Sequence, residues 1–377
     1  MQPLVLLAAL LWTTSTEIES EALRPRIRED VRLAAPAVAL GRDERGTVFA
    51  WSMSNGAGAD RIYVSRGGTA KEIPLSAPSE HIMDAMYPAL APMNGRLLLV
   101  WIERSRNDSI ARYVYCELDA ALNPLEIRTL PTRAEGPPAI SGNWILAARY
   151  GWRIENGQYV DLVPLGEHFS DVAVANGAPR FVAGFTVQEK FTCKSEPNCK
   201  AAGGPFNGYC YEHCRIYENS YRLRMATLID DPVDVTHEFA SQARPAVEAI
   251  GDETLIVWFH GDQNQGGGTV LAQRTSEQFT RHWPVSAPMR VLGSFGRDNG
   301  PTRPDIATDG ERYFVVWRGR LLGSDHDIVG AILERDGTIT EIPIATSVAD
   351  ERDPSVVAAG DGRFIVSYEK LENGERR

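Results

Sequence analysis

Apolar residues in this chain fall in short, dense runs separated by turn-forming clusters, and the runs recur at a regular interval. "RPDIATDGERYFVVW" (303–317) shows the unit: a proline, a stretch of small residues, a turn with Gly, then an apolar run ending in Trp. Proline cannot donate to a ladder and suits the first residue of a strand. Asp-Gly, Asn-Gly and Gly-Asp pairs accept the positive φ of a tight hairpin. The apolar run is too short for a membrane helix, rich in β-branched and aromatic residues, and bounded by turns. It predicts a strand buried on both faces. Two amphipathic strands follow, as in "DIVGAILER" and "EIPIAT" around an Asp-Gly turn. Each unit therefore predicts a four-stranded antiparallel meander.

The unit is found seven times: Pro36 to Trp51, Pro88 to Trp101, Pro137 to Tyr150, Asp171 to Phe185, Pro245 to Trp258, Pro304 to Trp317 and Pro354 to Tyr368. In the fourth, Asp171 is read in the place of Pro and Phe185 in the place of Trp. A lone meander cannot bury both faces, whereas several arranged radially can, and a spacing of about 50 residues suits a propeller blade. The expected fold is all-β: a single propeller over residues 22–377 with seven four-stranded blades. An insertion at 187–219 falls in the fourth blade. The chain stops just after the second strand of the last unit, so residues 22–35 are expected to complete that blade and close the ring.

Charge and cysteines refine the setting. A net charge of −11 argues against nucleic acid as a partner, since a basic stripe would be expected. "LVLLAALLW" (4–12), followed by small polar residues, reads as an export signal over residues 1–16, although it lacks a basic n-region and a clean cleavage site. No other stretch is apolar and long enough to span a membrane. Cys193, Cys199, Cys210 and Cys214 crowd into the insertion, where two disulfides would staple a loop without a core. Three connectivities are open, and zinc is the competing reading. Cys116 reads as a small buried hydrophobe. Secretion or a periplasmic location follows as the expectation.

Chemistry is sparse. No nucleophile elbow, zinc-protease motif or phosphate-cradling glycine loop occurs, and no cofactor or metal is expected. Trp51, Trp101, Trp258 and Trp317 end strands buried on both faces, so packing between blades accounts for them better than carbohydrate stacking. The residues just beyond those tryptophans gather on one face of a radial fold. Glu103, Arg104, His260, Asp262 and Arg318 are therefore the candidate ligand-binding residues, with Arg303 and Glu369 nearby.

The repeat of Pro, a hydrophobic residue and Ala, then a Gly turn, an apolar run and Trp, resembles that of secreted bacterial β-propeller proteins. The likeness extends from about Pro36 to Tyr368. It implies a seven-bladed propeller and says little about activity, because propellers host unrelated functions. The Asp-box of sialidases and the calcium loops of integrin-like propellers are absent. With no catalytic constellation in view, the leading expectation is an exported, non-catalytic scaffold for an unknown protein or glycan. The alternative is a glycan-acting hydrolase or lyase with its site in the axial funnel. Such an enzyme needs two carboxylates across a substrate, for which Glu103, Asp262 and Glu369 are the nominal candidates.

Overall fold

A computed structural model describes residues 38–54, 59–76, 83–106, 111–165, 171–175, 178–192, 215–226, 233–234, 245–261, 268–275, 290–295, 304–319, 326–372 and 375–376. Among them there are strands and turns and no helix. The strands form seven antiparallel sheets, each a meander in chain order. Six have four strands. The seventh has three: Asp350–Gly360, Arg363–Glu372 and Glu375–Arg376. The expected seven four-stranded blades are thus six, followed by a three-stranded sheet. The segment 22–35 lies outside the described residues. The first strand of every sheet lies against the first strand of the next, and that of sheet 7 lies against that of sheet 1. This ring of first strands defines the propeller axis.

The two-residue period of a strand explains the packing. In sheet 5, Leu255, Val257 and Phe259 join an apolar cluster with Tyr313, Val315 and Trp317 of sheet 6. The alternating residues Ile256 and Trp258 join Ala173, Val182 and Met225 of sheet 4. Each of the six apolar clusters is shared in this way by two consecutive sheets. The runs read as doubly buried strands are so because a neighbour covers each face. Burying one such side chain contributes roughly 1.5–3 kcal/mol. Trp101, Trp258 and Trp317 each pack on the preceding sheet and are almost fully buried.

Two repeat assignments change. Asp171 pairs with Val182 as Asp305 pairs with Val316, so Asp171 occupies the place after the repeat proline. The place of Trp in that unit then falls to Ala183. In the third unit the second strand is only Trp144–Ala147, and Tyr150 opens the third strand. A turn at Ala148, with φ of 53°, cuts the apolar run short. In the fourth unit the insertion leaves from a long hairpin, with Thr192 opposite Arg215. Cys193, Cys199, Cys210 and Cys214 lie outside the described residues, and Cys116 is a buried free thiol.

Crowding between neighbouring strands of one sheet leaves some places without room for any side chain. A Cβ at Gly330 would sit 2.7 Å from the Phe314 ring and 2.9 Å from Ile344. Gly330→Ala is expected to cost about 1–3 kcal/mol, read as a lower midpoint in thermal or urea unfolding. Adding Phe314→Leu should return part of that loss, a coupling that independent effects would not show.

Candidate functional site

The first strand of each sheet has a partner on one side only, so its other edge turns backbone N–H and C=O groups toward the axis. Those groups need partners, and side chains from the preceding sheet supply some. Asp171 Oδ2 accepts a hydrogen bond from the Val247 N–H at 3.0 Å, while Oδ1 accepts from Val172 at 2.9 Å. Asp305 Oδ2 accepts from the Val356 N–H at 2.8 Å. Ser141 Oγ accepts from Val174 at 3.2 Å. The same register position thus places a carboxylate on the first strands of sheets 4 and 6 and turns it toward the sheet that follows.

Glu248 lies on the first strand of sheet 5, between those two. Its place is two residues further along than that of Asp171 and Asp305, on the same side of the strand. Its Oε1 accepts from the Ala249 N–H at 3.0 Å. Burial pushes the Glu248 carboxyl up to about 7, the Ala249 N–H pulls the other way, and the negative charges of Asp171 and Asp305 push it further up. The first strands of three consecutive sheets therefore each carry a carboxyl, the outer two within electrostatic reach of the middle one, which holds its proton near neutrality. These carboxyls are not a metal cage: no group of three His, Cys, Asp or Glu among the described residues could hold a metal ion.

A second polar group lies where sheets 6 and 7 meet, at the end where the first strands begin. His326 Nδ1 bonds Asp350 Oδ1 at 2.7 Å, and Arg352 Nε donates to Asp350 Oδ2 at 2.8 Å. Burial and the charge of Arg318 lower the His326 pKa against the pull of Asp350. The imidazole is thus kept neutral.

The residues expected from sequence are placed as follows. Glu103 is fully buried: its carboxylate accepts from Ser76 N at 2.8 Å, Ser76 Oγ at 2.6 Å, Trp101 Nε1 at 3.3 Å and Arg112 Nη2 at 3.0 Å. Its oxygens are committed to the fold. Arg104 is exposed at the end of the same strand, opposite Asp84. His260 is in the second strand of sheet 5, opposite Thr269. Arg318 is half-buried, opposite Ile328, and Glu369 is buried. Asp262 and Arg303 lie outside the described residues. All the described ones belong to second strands, one strand out from the axis. The carboxyls that sense one another's charge come instead from the first strands, in "SDVAVA", "RPAVEAI" and "RPDIAT". The available signal was an acid at alternate places in strands otherwise made of small residues.

No family model matches the chain, and no curated protein matches it. Solved structures do align with it. A GH43_1 enzyme from Xanthomonas citri covers 88% of this chain and 94% of its own, at 12% identity and a TM-score of 0.37. An alpha-L-arabinofuranosidase from Lactobacillus brevis covers 83% and 96%, at 13% identity and a TM-score of 0.43. The Trypanosoma rangeli sialidase in complex with the inhibitor DANA covers 91% of this chain and 54% of its own, at 11% identity and a TM-score of 0.44. Such values speak of architecture and leave the chemistry to this chain's own residues. The expectation of a non-catalytic scaffold is corrected here. The aligned structures are a GH43_1 enzyme, an alpha-L-arabinofuranosidase and a sialidase, in line with the alternative of a glycan-acting hydrolase.

The raised Glu248 pKa has a consequence for stability. An unfolded Glu loses its proton near 4.5, whereas the folded one keeps it to about 7. Between those values the folded state binds more protons, so stability falls as pH rises, by about 3 kcal/mol in all, and then levels off. Glu248→Gln should remove that slope, so its melting temperature gains on the parent from pH 4.5 to 7 and by a constant amount above. Parallel curves would show that Glu248 titrates normally.

Proposed function

We propose that this protein is a glycan-acting hydrolase with its site among Asp171, Glu248 and Asp305 at the propeller axis. One observation carries the reading: a carboxyl that keeps its proton to about 7, set between two carboxylates whose charges help raise it. Glycosidic bonds are cut by such a division of labour, one carboxylic acid and one carboxylate. Glu248 is the acid and gives its proton to the leaving glycosidic oxygen as the bond to the anomeric carbon breaks. A water adds to that carbon, and its proton passes to Asp305. Asp171, with both oxygens on backbone N–H groups, supplies the negative charge that keeps Glu248 protonated. The role of Glu248 needs no metal or cofactor.

Export and a seventh blade belong to the same proposal. An enzyme on polymeric glycans works where the polymer is, and the apolar stretch at 4–12 supports a route there. The three-stranded sheet takes the seventh place in the ring, supported by its contacts with sheets 6 and 1.

The test is turnover of aryl-glycosides and plant and bacterial polysaccharides by the purified protein between pH 4 and 9. Activity should fall as pH rises through about 7, because the acid must be protonated. Glu248→Gln should lower kcat by about 10²–10⁴, and Asp305→Asn by a similar factor. A wild-type protein that releases no reducing ends from any of these substrates would refute the proposal.

A further inference from the structure

Five of the seven non-glycine residues with positive φ sit in turns or loops: Asn94, Leu122, Ala148, Asn156 and Asp361. The other two, Tyr87 with φ of 56° and Asp353 with φ of 47°, lie inside strands. Both immediately precede a repeat proline, Pro88 and Pro354. Both sit where the register slips, between Met86 and Ala89 and between Arg352 and Ser355. Both strands are 11 residues long and are the first strands of sheets 2 and 7. Around the ring these two sheets flank sheet 1.

A left-handed backbone inside a strand costs energy for a Tyr or an Asp, and glycine would remove the cost. The chain uses glycine at hairpin turns such as Gly95, Gly310 and Gly360. At 87 and 353 it keeps functional side chains on strained backbone. A bulge re-aims a side chain. Both residues are partly exposed, and each bulge sets its residue about one register place, roughly 3.4 Å, nearer the start of the first strand than the position of Asp171 and Asp305. Tyr87 also rests on the apolar cluster between sheets 2 and 3, which steadies one side of its ring.

We infer that Tyr87 and Asp353 are the glycan-contacting, specificity-determining residues at the mouth of the axial site, and that they select a neutral sugar. The inference rests on the axial reading proposed above. An aromatic ring stacks on the apolar face of a sugar, and a carboxylate accepts from its hydroxyls. Asp353 adds a negative charge to those of Asp171 and Asp305. A uronic or sialic acid would meet repulsion there, whereas a neutral hydroxyl-rich sugar would not.

The experiment uses Tyr87→Gly, Asp353→Gly and Asp353→Asn in the full chain. Probes are neutral xylo- and arabino-oligosaccharides and an acidic oligogalacturonide. Asp353→Gly should melt about 1–3 °C higher through relief of strain, whereas Tyr87→Gly also loses the packing of its ring and is read by binding; both should bind the neutral probe about tenfold more weakly. Asp353→Asn should narrow the preference for neutral over acidic probes. Binding is measured by calorimetry in the Glu248→Gln background, so it is read apart from turnover. An Asp353→Gly variant that melts lower would make its bulge structural and overturn the inference. So would unchanged affinity for a neutral probe that the parent binds. If the parent binds a neutral probe but never cleaves it, the hydrolase reading fails while the contact residues stand. If it binds none, both fall.

Discussion

A meander whose strands are apolar on both faces cannot be stable alone, and the fold depends on that constraint. Each face must be covered by the next sheet, and the coverage must return to its start or leave one face bare. Trp258 covering sheet 4 while Val257 and Phe259 cover sheet 6 is the local form of the rule. Packing this close forces small residues at the tightest contacts, as with Gly41 against Leu90 and Gly151 against Phe181. It also fixes where each first strand must be: at the axis, with one edge unpaired.

That unpaired edge is where fold and chemistry meet. Unpaired strand edges are a liability, and the interior of a closed ring offers no room for another strand. Side chains from the preceding sheet do the work instead. Asp171 bonds the Val247 N–H and Asp305 the Val356 N–H. A short acid suits the task because a charged acceptor makes a stronger bond to a backbone N–H than a neutral one. Negative charge therefore accumulates on one arc of the axis for reasons of folding. Glu248 then sits beside that charge and bonds only its own neighbour's N–H. Perturbed carboxyls of this kind mark functional sites because the same features, burial and like charge, serve both purposes.

The architecture was legible because its cause is local and periodic. Proline, turn and apolar run recur, and each has one backbone meaning. The site was less legible because convergence is a property of the ring. "RPDIAT" shows an Asp after a proline, but only the packing of sheet 6 on sheet 5 brings Asp305 within electrostatic reach of Glu248, 57 places earlier in the chain by their numbers. Asp171 was displaced by one place in the sequence alignment because the proline it was matched to is missing from its unit. Glu103 looked exposed because it follows a strand-ending Trp. Its strand runs on to Ser105, so the carboxylate is still inside.

Glu103 and Glu248 together show what separates an inert buried acid from a usable one. Both are glutamates in strands, Glu103 fully buried and Glu248 half-buried. Glu103 has Ser76 N–H and O–H, the Trp101 indole N–H and the Arg112 guanidinium around its oxygens. The bonds compensate the loss of water, and Arg112 brings an opposite charge. Glu248 has one backbone N–H and two negative neighbours. Taking a carboxylate out of water costs several kcal/mol unless donors or a cation replace it, so Glu248 meets the cost by keeping its proton. Burial alone would favour the proton on Glu103, the more deeply buried of the two. The number and charge of the donors decide instead, and they point to Glu248 as the axial carboxyl able to give up a proton near neutral pH.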